Sequence, residues 1–405
     1  MKLGVEGYAP ALLRKITSQG GRYAFSEAAG NLKELAGLDI SGQHVMRLTE
    51  RIGAEWQARR SREILAFNQN LLPRNYPQAP TTAAVMLDGG RVQTRQEPSG
   101  PGVTGAQWNE PKYGCFLTLN TKPSQSDPQA EPPSKFSNRE STPKLVREIQ
   151  SQHGGTPLTR STALKNEPVK ARTKKRKRIS SVVLRTVIAT MCGVTEFGAQ
   201  VALEVYKRGL DLARHKACVC DGQKSNWTVW EAHLKPLGFI PVLDFLHLLT
   251  YLYAAAQARG GTEQQRWERY VKWMTWAWQG MREKVLVALK AACRDMGEPP
   301  GDAPENDPRA VLSKACTYVV NNIEKMDYPR YRKLGLPVSS APIESTIKQF
   351  NKRVKGTEKF WKPSAVEAVL QMRAAQLCQD NRVDCQWHTP RAYRAARHTP
   401  IKKVA

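Results

Sequence analysis

Five short apolar runs, at residues 83–87, 113–119, 182–188, 217–220 and 239–243, set the class of fold open to this chain. They are rich in Val, Ile, Leu, Phe and Cys and continuous rather than alternating in polarity, so they read as buried strands; a buried helix needs a run of about ten residues or more. Helical spacing follows at 196–208 and 226–235, between the later runs. The expectation is a mixed α/β core with strands packed under helices.

Two of the runs stop in the same way. Asp88 follows the first and precedes Gly89, Gly90 and Arg91, and Asp221 follows the fourth and precedes Gly222. Asp before Gly is ordinary turn chemistry, and either carboxylate alone carries little. If the two strands are neighbours, however, both carboxylates stand together. A third acid, Glu344, heads a helix expected over residues 341–354, where spacings of three and four put Glu344, Lys348, Lys352 and Lys355 on one face, with Arg353 beside them. One reading is an intrahelical Glu to Lys pair of a few tenths of a kcal/mol. The other is that this helix packs across the strand ends and three acids converge. Such convergence is repulsive unless cations fill the gap, and Mg²⁺ or Mn²⁺ suits hard oxygen donors. Two such ions about 4 Å apart would serve in-line displacement at a phosphate.

A fourth acid, Asp244, directly follows the last run, with His247 one turn on. Asp244 reads as the N-cap of a helix that begins there. Alternatively the two form a substrate-positioning pair, or Asp244 replaces Asp221 as a metal ligand.

The partner class follows from charge. The chain has 405 residues, 62 Lys and Arg against 36 Asp and Glu, a formal charge of +26 and a pI near 9.9. That is the electrostatic footprint of a nucleic-acid partner, although ribosomal and membrane-surface proteins share it. No apolar run approaches the roughly 18 residues of a membrane span, and the first residues lack the apolar stretch of a secretory signal, so a cytoplasmic, nucleoid-associated protein without membrane contact is expected. Eight scattered cysteines read as reduced thiols, and a zinc site is not expected. There is no Ser-His-Asp grouping, Walker loop or Gly-rich dinucleotide fingerprint, which disfavours acyl transfer, ATP hydrolysis and redox chemistry.

Seven stretches are expected. Residues 1–75 form a helical region in which Gly37 turns the chain, Ser41 caps the next helix, and Val45, Leu48 and Ile52 form an apolar stripe, leaving Arg47 and Arg51 on another face. This suits either a DNA-reading helix-turn-helix or a structural helical hairpin. Residues 76–120 and 179–259 are two parts of the core. Between them, 121–178 holds seven prolines, one aromatic residue, and 14 basic against five acidic residues, so it is expected to be largely disordered. Its end, with Lys174, Lys175 and Arg176, reads as a phosphate-contacting run. Residues 260–335 form a helical insertion whose Trp267, Tyr270, Val271, Met274 and Trp278 read as core rather than a base-stacking platform. Residues 336–375 hold the last core helices and 376–405 a basic tail.

In their order and spacing, Val85-Met-Leu-Asp88-Gly-Gly-Arg91, Trp108-Asn-Glu-Pro-Lys112, Val219-Cys-Asp221-Gly-Gln-Lys-Ser-Asn-Trp227, Val242-Leu-Asp244-Phe-Leu-His247 and Gly335 to Ser345, followed by Gly356 to Trp361, make the chain resemble a DDE transposase of bacterial insertion sequences, in the Mutator-related branch. The resemblance covers most of the chain. It implies a ribonuclease H-like core with helices on both faces of a mixed sheet, and a metal-binding triad of Asp88, Asp221 and Glu344. It further implies an Asp-x-x-His element at Asp244 and His247, a helical insertion before the last acid, and a homo-oligomer acting on element ends and target DNA. Two departures stand out: Ser339-Ser340-Ala341-Pro342 occupies a stretch that often carries glycines, and Trp227 lies farther from the second Asp than in many relatives.

The expected function is therefore metal-dependent cleavage and joining of DNA. Two other classes compete: a catalytically silent or domesticated DNA-binding protein, and a nuclease that cuts without joining. Presence of all three acids argues against the former.

Overall fold

The computed structural model describes residues 8–74, 79–95, 107–152, 180–356 and 359–388. Three helices come first, α1 (Pro10–Gly20), α2 (Phe25–Ala36) and α3 (Gly42–Asn68). Gly37 turns the chain between the last two with φ +62, and Ser41 caps α3 by accepting the His44 N–H. The apolar stripe of Val45, Leu48 and Ile52 is buried, as its period requires.

The central sheet is built from β1 (Thr82–Gly89), β4 (Lys112–Thr121), β5 (Ser180–Thr190), β6 (His215–Cys220) and β7 (Ile240–Leu243), while β2 (Val92–Thr94) and β3 (Gln107–Asn109) form a separate two-stranded sheet. Each of the five apolar runs of the sequence is a strand of this one sheet, in the order β5-β4-β1-β6-β7. β4 runs antiparallel to β5 and β1, while β1, β6 and β7 are mutually parallel, so the sheet is mixed.

Side-chain alternation sends each strand into two cores. Ala83, Val85, Leu87, Cys218 and Cys220 pack with Phe197, Val201 and Val205 of α5 (Val194–Lys207) and with Val229 of α6 (Lys224–Val229). Ala84, Met86, Ala217 and Val219 face the larger core. That core is covered by α4 (Ser141–Gln152), α7 (Phe245–Ala258), α8 (Glu263–Trp278), α9 (Arg282–Met296), α10 (Pro308–Asn322), α11 (Tyr328–Lys333), α12 (Ala341–Val354) and α13 (Pro363–Leu377). Residues 260–335 carry the helices α8 to α11, in which Tyr270, Met274 and Trp278 are core residues.

Two expectations need correction. Residues 122–152, expected to be largely disordered with the rest of 121–178, are built into the fold. Phe136, Val146 and Ile149 are buried in the main core, the Tyr270 hydroxyl donates to the Phe136 carbonyl at 2.8 Å, and the Trp278 indole donates to the Gln129 carbonyl at 2.8 Å. Averaged composition concealed a short amphipathic helix, α4, and proline does not prevent an irregular chain from being held by side chains of another segment. Likewise, part of the expected basic tail is structured: α14 (Arg382–His388) begins with Arg382, whose guanidinium pairs with buried Glu204 of α5 at 2.5 Å. Residues 153–179, with Lys174, Lys175 and Arg176, lie outside the described residues.

α3 also leans on the C-terminal part of the fold. A Cβ at Gly53 would stand 2.2 Å from the Ala368 carbonyl oxygen of α13, so the two helices meet backbone to backbone where only glycine fits. No described helix is long and apolar enough to cross a membrane.

Candidate metal centre

Register brings the first two acids together. β1 and β6 run parallel with Leu87 opposite Cys220, so Asp88 and Asp221 are the next residues along both strands. Adjacent strands lie about 4.8 Å apart. Alternation then puts Asp88 on the side of Ala84 and Met86, and Asp221 on the side of Ala217 and Val219, which is the face covered by α7 and α12.

Both are buried, Asp88 at 3% and Asp221 at 9% exposure. Asp88 accepts the Gly89 N–H at 2.7 Å. Burial, and after it the charge of Asp221, pushes the Asp88 carboxyl well above the usual carboxylate range. Asp221 accepts from the Gln223 N–H and the Asn226 side-chain amide, each at 3.0 Å, and its carbonyl receives the Tyr318 hydroxyl at 2.7 Å. Gly222 explains the turn: its φ is +100, and a Cβ there would meet the Tyr318 ring at 2.6 Å. The helical insertion is thereby seated on the end of β6.

Asp244, fully buried, is the N-cap of α7, the first of the three roles open to it in the sequence. Its Oδ1 accepts the Leu246 and Ser340 N–H groups, and its Oδ2 accepts the His247 N–H, the His247 ring at 2.5 Å and the Ser340 hydroxyl at 2.9 Å. Five donors fill its lone pairs, so Asp244 is a poor direct ligand and a strong organiser. Burial would raise its pKa, but these bonds and the His247 charge hold it below the ordinary value. For His247, burial acts downward and is outweighed by Asp244, then Asp221 and Asp88, which raise it to about 9. The surrounding carboxylates thus favour the protonated ring.

Glu344 enters from the first turn of α12, 8% exposed, with Oε1 3.1 Å from the Ser340 hydroxyl. Burial first, and then Asp244, raises its pKa. Asp244, His247 and Glu344 each offer a ligand atom within 4.8 Å of the others, and among the described residues no other group of three meets that condition. The expected triad is thus arranged differently from a single tight cluster: Asp88 and Asp221 stand at the ends of adjacent strands, while Glu344 groups with Asp244 and His247. The two halves feel each other's charge: after burial, Asp221 and more weakly Glu344 raise the Asp88 pKa, while His247 lowers it.

The expected basic stripe is only partly a surface. Arg353 is a correction: it is 2% exposed, its Nε donates to the Gly20 carbonyl at 2.9 Å, and its guanidinium lies over Phe25 and Trp361 at 4.5 and 5.0 Å. One position round the helix from Lys352, it faces α1 and α2 rather than solvent. Lys348 pairs with Glu148 of α4 at 2.5 Å, Lys352 is exposed, and Lys355 caps α12 with its Nζ 6.0 Å from the Trp108 ring. Arg47 is exposed and bonded to the His44 ring, whereas Arg51 is half-buried, 3.9 Å from Glu55.

Sequence reasoning missed Ser340, Asn226 and Tyr318 as supports of the acids. Ser340 was visible only as a departure from a glycine-containing pattern; Tyr318 lies 97 residues from its partner Asp221 and had no local signal. The chain matches no protein-family model, and no curated protein sequence matches it either.

Proposed function

We propose that this chain is a metal-dependent DNA strand-transfer enzyme, a transposase of the DDE class built on a ribonuclease H-like core. The observation that carries the reading is the parallel pairing of β1 with β6, which aligns Asp88 and Asp221 at strand ends on the face covered by the helix bearing Glu344. The mixed order of the sheet, with helices on both faces, is compatible with that fold.

The donor set fits hard divalent cations. Burial and neighbouring carboxylates raise the pKa of Asp88 and of Glu344, a strain that positive charge relieves, and Asp88, Asp221 and Glu344 would hold Mg²⁺ or Mn²⁺, with two ions expected. When bound, such ions lower the pKa of an attacking oxygen and stabilise charge on a leaving oxygen. The chain's own residues supply position. Asp244 locks the His247 ring and the Ser340 loop, and so sets the angle at which α12 delivers Glu344. His247 places its positive ring among the acids, where it limits repulsion before substrate arrives. Lys348, Lys352 and Lys355 would contact the DNA backbone, Lys348 after exchange of its Glu148 partner for a phosphate. Arg47, Arg51 and the segment with Lys174, Lys175 and Arg176 would contact the element ends, and a homo-oligomer would pair two of them. Water attacks a phosphodiester at the element end, and the freed 3′-hydroxyl attacks target DNA; this second step rests on the family resemblance.

The test is a strand-transfer assay with Mg²⁺ or Mn²⁺ on DNA carrying the element's ends, comparing wild type with Asp88→Ala, Asp221→Ala, Asp244→Ala and Glu344→Ala. Loss of cutting and joining in the Asp88, Asp221 and Glu344 variants is expected. Full joining by Asp221→Ala would remove Asp221 from the ligand set, and no metal-dependent cutting by wild type would end the reading.

A further inference from the structure

We infer that Tyr113 is a positioning residue for Asp88, its buried hydroxyl donating to that carboxylate when a divalent cation is held there, an inference that rests on the metal-binding role proposed for Asp88. In the sequence Tyr113 is only one member of an apolar run, because the acid it serves lies on another strand.

Three observations place the hydroxyl beside the acid. β1 and β4 are antiparallel with Asp88 opposite Tyr113, so the two side chains leave the sheet on the same face. The ring then leans along the end of β1: a Cβ at Gly90 would stand 2.7 Å from its Cε2 and 3.5 Å from its hydroxyl oxygen, so the phenol lies against the turn that follows Asp88. Burial first and Asp88 second push the phenol's pKa up, so the charge it feels is that acid's.

Packing accounts for the ring and leaves the hydroxyl unexplained. Tyr113 is 1% exposed and packs on Phe350 of α12, with ring centroids 4.9 Å apart at 45°. Phenylalanine would keep that contact, since only the ring makes it. The hydroxyl oxygen is buried without a hydrogen-bond partner, and a desolvated donor left unsatisfied is destabilising.

Asp88 has the complementary shortage. Its Oδ1 accepts the Gly89 N–H, while its Oδ2 accepts no hydrogen bond among the described residues. The two groups are not bonded as the chain stands, and the broad Asp χ2 torsion lets the carboxylate turn towards the hydroxyl. A carboxylate offers about four lone-pair sites, so with Gly89 on one and Tyr113 on a second, two remain, which matches the two cations proposed for the site. A donor behind a ligating carboxylate fixes its orientation and tightens metal binding. Because the ring also bears on Phe350, the same side chain sets Asp88 relative to the helix that carries Glu344.

The test uses the full chain, with Mn²⁺ alone as the first probe. Without metal, Tyr113→Phe should unfold at the same urea concentration as wild type or a higher one, because it loses only an unpartnered hydroxyl. Its Mn²⁺ affinity by calorimetry should fall by about tenfold or more, the effect of removing a group that orients a ligand. On duplexes carrying the element's ends, the Mn²⁺ concentration for half-maximal cutting should rise in proportion while KM for DNA stays the same. Unchanged Mn²⁺ affinity, or a urea midpoint below that of wild type without metal, overturns the role of Tyr113 and leaves the reaction standing. A wild type that binds no Mn²⁺ overturns both; one that binds Mn²⁺ without cutting overturns the reaction alone, and calorimetry then decides Tyr113.

Discussion

Ser340 meets Asp244 twice, through its backbone N–H at 3.0 Å and its hydroxyl at 2.9 Å, although 96 residues separate them. The same hydroxyl lies 3.1 Å from Glu344, and its one proton can serve only one acid at a time. A single small side chain therefore couples the N-terminus of α7 to the first turn of α12, and the position of Glu344 depends on it.

Ser340→Ala should keep the backbone contact and lose the hydroxyl. Leaving buried carboxylate oxygens short of a donor costs about 1–3 kcal/mol, measurable as a lower urea midpoint. Mn²⁺ affinity by calorimetry should fall by about 10–100-fold, the usual effect of removing a group that orients ligands.

Divalent metal should stabilise the folded chain, because it neutralises acids that otherwise repel one another across β1, β6 and α12. Mn²⁺ at 100 times its dissociation constant should add about 2.7 kcal/mol, seen as a raised Tm that a chelator reverses. Asp88→Asn should be at least as stable as wild type without metal and should lose most of the metal-induced rise. An equal rise in Asp88→Asn would take Asp88 out of the site.

Arg353 and Lys352 should separate structure from DNA contact. Arg353→Ala removes a buried guanidinium stacked on Phe25 and Trp361, and should cost about 2–3 kcal/mol in thermal or urea unfolding. Lys352→Ala should leave stability unchanged, weaken DNA binding regardless of sequence, and reduce the slope of log affinity against log salt by about one.

Acid sensitivity should centre on Glu204. Burial raises its pKa, but Arg382 overcomes this and holds it at about 2, against an ordinary value of 4.5. A depressed carboxylate adds stability that is complete above the unfolded value and disappears as pH falls through the folded one, here from about 4.5 towards 2. The shift corresponds to roughly 3 kcal/mol. Glu204→Gln should flatten the dependence of the urea midpoint on pH in that window. Arg382→Met, which strands the buried carboxylate, should cost about 3–5 kcal/mol at neutral pH.

The sequence by itself determined the elements. Continuous apolar runs marked all five strands of the sheet, Gly37 and Ser41 marked a turn and a cap, and helical spacing marked α12, because each signal is a local demand of burial or backbone geometry. It also marked Asp88 and Asp221, since a strand end followed by glycine is local too. Only the tertiary structure decided which strands are neighbours, that Asp244 is saturated by five donors rather than open, and that Arg353 turns inward while Lys352 does not. It likewise decided that α4 joins the core. These outcomes depend on segments tens to hundreds of residues apart, and a period along one element records that a face is buried without recording what buries it.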